Sequence, residues 1–112
     1  MSSSIIKFIY SGSKVSKISD GDTFEAYTML TFDHRVKTKI RLARIDCPER
    51  GEDGWLPAKE FTTALLRNTA VDLHVLALDN WKRWICEVYL NGENVSDLLL
   101  ATNHAVIYKR GR

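Results

Sequence analysis

Residues 41–49, Arg-Leu-Ala-Arg-Ile-Asp-Cys-Pro-Glu, place Arg41 five residues before Asp46 and put a second carboxylate, Glu49, three residues after it. Two acids and a guanidinium at the end of a strand suit a hard cation held beside a phosphate. Asp22, in the upstream stretch Asp20-Gly-Asp-Thr, adds a further carboxylate, although Asp and Gly are equally typical of a turn. These residue types therefore point to metal-assisted phosphoryl chemistry.

The strand that must position Arg41 shows a period of two. Apolar or threonine residues alternate with basic ones: Val36, Thr38, Ile40 and Leu42 against Lys37, Lys39 and Arg41. Arg41 is thus expected on the face opposite the core. Short basic clusters of this kind are more often a solvated surface than a binding site.

The other elements follow from the same kind of pattern. Strands are predicted over residues 14–19, 23–32, 71–75 and 84–90, with a hairpin turn at Asn91-Gly92. Two helices are predicted. The first begins at Pro57, carries the apolar stripe Ala58, Phe61, Ala64 and Leu65, and ends at Asn68; the second begins near Val95, with Asn94 and Asp97 in capping positions. This order favours a five-stranded, strongly bent OB-type barrel with two helices, although periodicity does not itself establish closure.

Length and composition limit the remaining alternatives. Residues 1–112 form one predicted domain of ordinary globular composition, and the net charge of +2 does not by itself indicate a nucleic-acid binder. Cys47 and Cys86 form no CxxC pair and are too few for a disulfide scaffold. The chain shows no signal peptide and no apolar run long enough to span a membrane, which favours a cytoplasmic protein by default.

Several motifs in order resemble the staphylococcal nuclease family, whose domain is an OB-fold barrel. They are residues 20–23 (DGDT), 41–49 (RLARIDCPE), 58–61, 79–83 (DNWKR), 94–100 (NVSDLLL) and 104–106. Each motif is weak alone, but their order and spacing over most of the chain make the resemblance specific.

The resemblance implies a Ca²⁺-dependent nuclease that hydrolyses phosphodiester bonds of DNA or RNA and leaves 3′-phosphate ends. It implies that Asp22 and Asp46 bind Ca²⁺ through their carboxylates and Cys47 through its main-chain carbonyl. Glu49 is then the general base that acts on the attacking water. Arg41 and Arg83 bind the scissile phosphate and neutralise the five-coordinate transition state.

Four further positions have more than one interpretation. Trp81 matches a family aromatic beside the bound nucleotide, so it is expected either to stack on a base or simply to support its hairpin. Arg44 is interpreted as structural or peripheral. Glu52 and Asp53, in the short acidic loop after Glu49, are expected to be solvated rather than to assist the metal.

The end of the chain departs from the family pattern. Longer relatives continue into a third helix, which is expected to be absent here, so self-association or a partner that covers the exposed face is predicted. The alternative function is a catalytically weak OB-fold module that binds nucleic acid or protein within a larger assembly. A third hypothesis is a nuclease subunit of a DNA-transfer or repair assembly, in which the basic residues 109–112 contact DNA.

Overall fold

A computed structural model describes residues 5–109. Its elements in chain order are β1 (Phe8–Asp20), β2 (Thr23–Thr31), β3 (His34–Leu42), β4 (Ile45–Asp46), α1 (Trp55–Leu66), β5 (Ala70–Leu78), β6 (Trp84–Leu90), β7 (Glu93–Asn94), α2 (Val95–Ala101) and β8 (Val106–Ile107). Most of the predicted basic tail, residues 110–112, lies outside the described residues, as do residues 1–4.

Five long strands form a closed barrel. They lie in the order β3-β2-β1-β5-β6 through antiparallel pairs, and a parallel pairing between β3 and β6 closes the ring. Ile40, Arg41 and Leu42 are the β3 residues in that closing pair, opposite Trp84, Ile85 and Cys86. The predicted OB-type barrel with two helices is therefore confirmed, and the closure comes from a contact between segments that are more than forty residues apart.

The barrel interior contains one apolar core. Its fully buried members include Phe24, Ile40, Leu73, Val88 and Leu99, contributed by four strands and by α2. On β3, Ile40 and Leu42 are buried while Lys37 and Lys39 are exposed, which confirms the predicted alternation. Because the side-chain period is two, burial of Ile40 and Leu42 directs Arg41 to the outside of the barrel.

Helix α1 begins earlier than predicted. Its first residue is Trp55 rather than Pro57, because Gly54 takes a left-handed conformation (φ 89°) at the N-cap and starts the helix two residues sooner. Pro57 is then the third helical residue, whose N–H has no partner within a helix, so proline is tolerated there. Ala64, expected on the apolar stripe, is exposed, whereas Thr62 and Leu66 are buried with Ala58.

The hairpin between β6 and β7 and the helix α2 form where the sequence predicted them. Asn91 and Gly92 both have positive φ (52° and 86°), as the tight turn between β6 and β7 requires. The Asn94 side chain accepts a hydrogen bond from Asp97 N at 2.9 Å and so caps α2. Within residues 5–109, no helix is long and apolar enough to cross a membrane.

Candidate active site

Arg41 lies between Asp22 and Asp46, the two acids that were predicted to bind the metal. Its Nη1 is 3.2 Å from Asp22 Oδ2, and its Nη2 donates to Asp46 Oδ1 at 2.9 Å. The strand register explains this arrangement, because Arg41 is the Cα partner of Thr23 at the start of β2, next to Asp22. The Arg41 side chain is only 13% exposed, so both ion pairs are partly shielded from water.

Asp22 is the most enclosed carboxylate of the site. Its side chain is 9% exposed, and it accepts hydrogen bonds from Thr23 Oγ1 at 3.0 Å and from the Cys47 N–H at 2.8 Å. The second bond connects the β1–β2 turn to the residue that follows β4. Every lone pair that is satisfied in this way offsets the cost of removing the carboxylate from water.

The backbone of the β1–β2 turn approaches α1 closely. An added Cβ at Gly21 would lie 2.9 Å from both Ala58 Cβ and Cys47 Sγ, so only glycine fits. Thr62 Oγ1 donates to Gly21 O at 2.7 Å and completes the contact between turn and helix. The helix therefore holds the turn from which Asp22 extends.

Cys47 presents a buried thiol beside the acids. Burial raises the pKa of this thiol to about 12, with the Asp22 charge adding to the effect, so the sulfur stays protonated at neutral pH. Sulfur is a soft ligand and binds a hard cation poorly. That Cys47 contributes its main-chain carbonyl to a metal stays a prediction.

Glu49 begins an exposed turn at the rim of the site. Its N–H donates to Glu52 Oε1 at 2.7 Å, and Glu52 N donates to Glu49 O at 2.8 Å. The Glu52 carboxylate is therefore occupied in turn formation. The Glu49 residue is exposed and lines the same cleft as Asp22 and Asp46.

Arg83 is positioned by Asp79 in the loop between β5 and β6. Asp79 Oδ1 accepts from the N–H groups of Trp81 (2.8 Å) and Arg83 (2.9 Å), while Oδ2 accepts from Arg83 Nε at 2.7 Å. Burial raises the pKa of the Asp79 carboxyl, but these hydrogen bonds outweigh it and the pKa lies below its usual value. Lys82 takes a left-handed conformation (φ 63°) immediately before Arg83.

Trp81 is mostly solvent-exposed. The residue is 74% exposed, and the Arg83 Cζ lies 5.6 Å from the centroid of its ring. The ring is therefore not part of the core. It lines the cleft beside Arg83, and its exposed ring could stack on a planar group.

One open cleft of about 1590 Å³ contains every residue that the sequence analysis assigned to the site. Those residues are Asp22, Arg41, Asp46, Cys47, Glu49, Trp81 and Arg83. They come from four separate stretches of chain, which the β2–β3 register, the β3–β6 closure and the Asp79 loop bring to one side of the barrel.

Sequence reasoning missed two positions that organise the cleft. Asp79 was given no role in the sequence analysis. An Asp in a loop commonly accepts a hydrogen bond from the backbone N–H two residues later, which forms an Asx turn, and Asp79 does so with Trp81. Tyr108 was also missed: its ring centroid is 5.9 Å from Arg41 Cζ, and its N–H donates to Arg44 O at 2.8 Å. No local pattern could have found Tyr108, because its contacts are with residues more than sixty positions away.

Comparison with known proteins identifies the family of this chain. The family described as staphylococcal nuclease homologue matches residues 39–112, well over half of the chain. The chain belongs to the staphylococcal nuclease family. The matched residues include all the assigned site positions except Asp22, which precedes them.

The relatives differ in how much of this chain they match and in how much of their own length is matched. A probable staphylococcal-like nuclease, CAN4, of Oryza sativa subsp. japonica is 32% identical over 73 residues, which is 65% of this chain and 15% of that protein. An uncharacterized endonuclease of Haemophilus influenzae is 32% identical over 97 residues (87% of this chain, 52% of that protein), and one of Escherichia coli O157:H7 is 28% identical over 98 residues (87% and 61%). The chain thus spans between 15% and 61% of the length of these relatives.

Proposed function

We propose that this protein is a metal-dependent endonuclease that hydrolyses phosphodiester bonds in DNA or RNA, with Ca²⁺ as its cofactor and 3′-phosphate ends as its product. The observation that carries the proposal is the pairing of one guanidinium, Arg41, with two carboxylates, Asp22 and Asp46, in a cleft that Glu49 and Arg83 also line. Membership of the staphylococcal nuclease family and the names of the relatives, which describe nucleases and endonucleases, support the same reaction class.

The donor set suits a hard cation but is small. Asp22 and Asp46 offer two carboxylates beside Arg41, and the Cys47 carbonyl adds a neutral oxygen. Within residues 5–109, no three side chains of the His, Cys, Asp or Glu types are grouped so that they could hold a metal ion. Ca²⁺ takes six to eight oxygen ligands, so water and the substrate would have to supply the remainder. The expected affinity is therefore low.

A bound Ca²⁺ would supply positive charge beside the scissile phosphate and so stabilise the charge that develops there. The protein's own residues perform the other tasks. Arg41 on β3 and Arg83 immediately before β6 line the same cleft, and a guanidinium can bind phosphate oxygens through two N–H bonds. Two such groups neutralise the extra charge of a five-coordinate transition state.

Glu49 is the general base in this proposal. It is exposed at the rim, beside Asp46 along the chain, so its carboxylate can reach a water molecule in the cleft. The Glu49–Glu52 turn and Pro48 limit the directions available to it. The Glu49 carboxylate would accept a proton from the attacking water as the new P–O bond forms. The bond from phosphorus to the 5′-oxygen breaks in the same displacement, and that oxygen takes a proton from solvent and leaves as a 5′-hydroxyl, so the phosphate stays on the 3′ end.

The test is cleavage of labelled single-stranded DNA, duplex DNA and RNA in Ca²⁺, in Mg²⁺ and in EDTA. Wild-type protein should cleave in Ca²⁺ only, and a 3′-phosphatase should change the mobility of the products. Glu49→Gln and Arg83→Ala should each lower turnover by about 10²–10³ without loss of folding. Glu60→Gln, a change of the same kind on the exposed face of α1, is the matched control.

Near-normal turnover in both Glu49→Gln and Arg83→Ala would refute the assigned roles. Folded wild-type protein that binds nucleic acid but leaves it intact under all conditions would instead indicate a binding module.

A further inference from the structure

The outer face of β3 carries a row of cations that leads away from the cleft. Arg35, Lys37, Lys39 and Arg41 alternate with inward-facing residues, and we call these four residues the β3 cation row. Alternate residues of a strand are separated by about 6.8 Å, so the row extends roughly 20 Å from the β2–β3 hairpin to the candidate active site.

Neighbouring strands extend this positive surface. Lys37 is the Cα partner of Tyr27, which is in turn the partner of Lys14 on β1. One step nearer the cleft, Lys39 pairs with Glu25, and Glu25 with Lys17. These paired positions and Arg35 thus carry five cations, Lys14, Lys17, Arg35, Lys37 and Lys39, and the acid Glu25, while the next pairing towards the cleft, Arg41 with Thr23 and Thr23 with Asp20, adds the acid Asp20. The face therefore has an excess of cations, although the whole chain has a net charge of only +2.

These cations are not used to hold the fold together. Among residues 5–109, none of the exposed side chains Arg35, Lys37 and Lys39 forms an ion pair, whereas Arg44 and Arg83 are each tied to carboxylates. Arg35 instead lies over the Tyr27 ring, with its Cζ 5.1 Å from the ring centroid. Its N–H groups therefore remain available to an external acceptor.

The row is continuous with the site. Lys39 lines a second recess beside the cleft together with the cation Arg83, the ring of Trp81 and the acids Asp20 and Glu49. Arg41, the last cation of the row, is also the residue that pairs with Asp22 and Asp46. A flexible polyanion bound at Arg41 and Arg83 would meet Lys39 next and then Lys37.

We propose that Arg35, Lys37 and Lys39 of the β3 cation row bind the phosphate backbone of the nucleic-acid strand that extends beyond the cleavage site. The proposal rests on the proposed function for the identity of the ligand, and on charge complementarity and continuity with the cleft for its location. The contacts are to phosphates and so are independent of base sequence. They lower KM for long substrates rather than change the chemical step.

Binding measured without cleavage tests the proposal directly. Fluorescence anisotropy with an oligothymidylate longer than the row is recorded in EDTA in the Glu49→Gln background, at several salt concentrations. Each cation that contacts a single strand adds about 0.7 to the slope of log K against log salt, so Lys37→Gln should weaken binding about five-fold more at 0.1 M than at 1 M salt. Arg35→Gln/Lys37→Gln should lower the slope by about 1.4.

Lys7→Gln is the matched control, because Lys7 is an exposed lysine that precedes β1 and lies off the β3 face. It removes the same charge and should leave the slope unchanged. Equal slopes for Lys37→Gln and Lys7→Gln, or no binding by wild-type protein, would overturn the proposal.

Substrate length supplies a second measurement. The rise in KM caused by Lys37→Gln should be larger for a long oligonucleotide than for a dinucleotide, which cannot extend from the cleft to Lys37. An equal rise in KM for the long oligonucleotide and the dinucleotide would overturn the proposal. If wild-type protein cleaves nothing but Lys37→Gln still weakens binding relative to Lys7→Gln, the cation row stands and the proposed nuclease function fails.

Discussion

Arg44 binds Glu87 through two parallel hydrogen bonds, Nε to Oε2 at 2.6 Å and Nη2 to Oε1 at 2.9 Å. These bonds raise the pKa of the Arg44 guanidinium above its usual value, and a further bond joins it to Asp97 at 3.0 Å. The Arg44 backbone is left-handed (φ 72°), at the bend between β3 and β4. The ion pairs thus stabilise a backbone conformation that L-residues disfavour. Asp46, two residues after Arg44, lines the cleft.

Glycine should be better tolerated than alanine at Arg44. Both substitutions remove the ion pairs, but Arg44→Gly also relieves the left-handed conformation, which costs an L-residue about 1–2 kcal/mol. Allowing for the greater freedom of glycine in the unfolded chain, we expect Arg44→Gly to be more stable than Arg44→Ala by about 1 kcal/mol in urea denaturation. The control is Arg67, where φ is −58° and alanine should be at least as stable as glycine. The same order of stability at both sites would contradict this interpretation.

Asp79→Asn should destabilise the protein at neutral pH and less so in acid. The folded pKa of Asp79 lies below its unfolded value, so its stabilisation is present above the unfolded pKa and is lost as pH falls through the folded pKa. Because hydrogen bonds to a charged group contribute about 1.5–3 kcal/mol, we expect a loss of that order at pH 7.

The measurement is the free energy of unfolding of wild type and Asp79→Asn from neutral pH down to about pH 3, across the unfolded pKa of about 3.9. The difference between the two proteins should shrink as pH falls. Asp33→Asn, at the exposed tip of the β2–β3 hairpin, serves as the control. A difference that stays constant with pH would show that the Asp79 charge does not stabilise the loop.

Calcium should raise the melting temperature, and Asp46→Asn should remove the effect. A ligand that binds only the folded state stabilises it by about 2.7 kcal/mol at a hundred times its Kd. With two carboxylates as the side-chain ligands, we expect the rise only at roughly millimolar Ca²⁺. Thermal denaturation with Ca²⁺ and with EDTA checks this without any cleavage assay, and Asp33→Asn should respond like wild type. An equal shift in Asp46→Asn would refute Asp46 as a ligand.

Gly21→Ala should destabilise the fold by about 1–3 kcal/mol, because its Cβ would lie 2.9 Å from Ala58 Cβ and from Cys47 Sγ. The strain should fall partly on α1, so Ala58→Gly should cost less in the Gly21→Ala background than in wild type. A double-mutant cycle in chemical denaturation measures that coupling. Strictly additive effects would indicate that the turn relaxes away from the helix instead.

The sequence alone predicted the five long strands and the two helices, because these elements depend on patterns within a few residues. The site residues were proposed from their motifs and from the family resemblance, and their roles stay predictions. The period-two pattern of β3 places Arg41 opposite Ile40 and Leu42, and the Asn91-Gly92 turn and the Asn94 cap are likewise signals read within a few residues. The start of α1 was misplaced for a related reason. Proline at 57 is compatible with either the first or the third helical position, and the conformation of Gly54 decided between them.

Only the tertiary structure decided how these pieces meet. Closure of the barrel depends on the β3–β6 pairing, and the pairing of Arg41 with Asp22 depends on the β2–β3 register. The roles of Asp79, Arg44 and Tyr108 likewise became visible through contacts, two of which span more than forty residues. Such contacts form when many segments bury their apolar faces together, and that packing energy is a property of the whole chain, which no single stretch of sequence records.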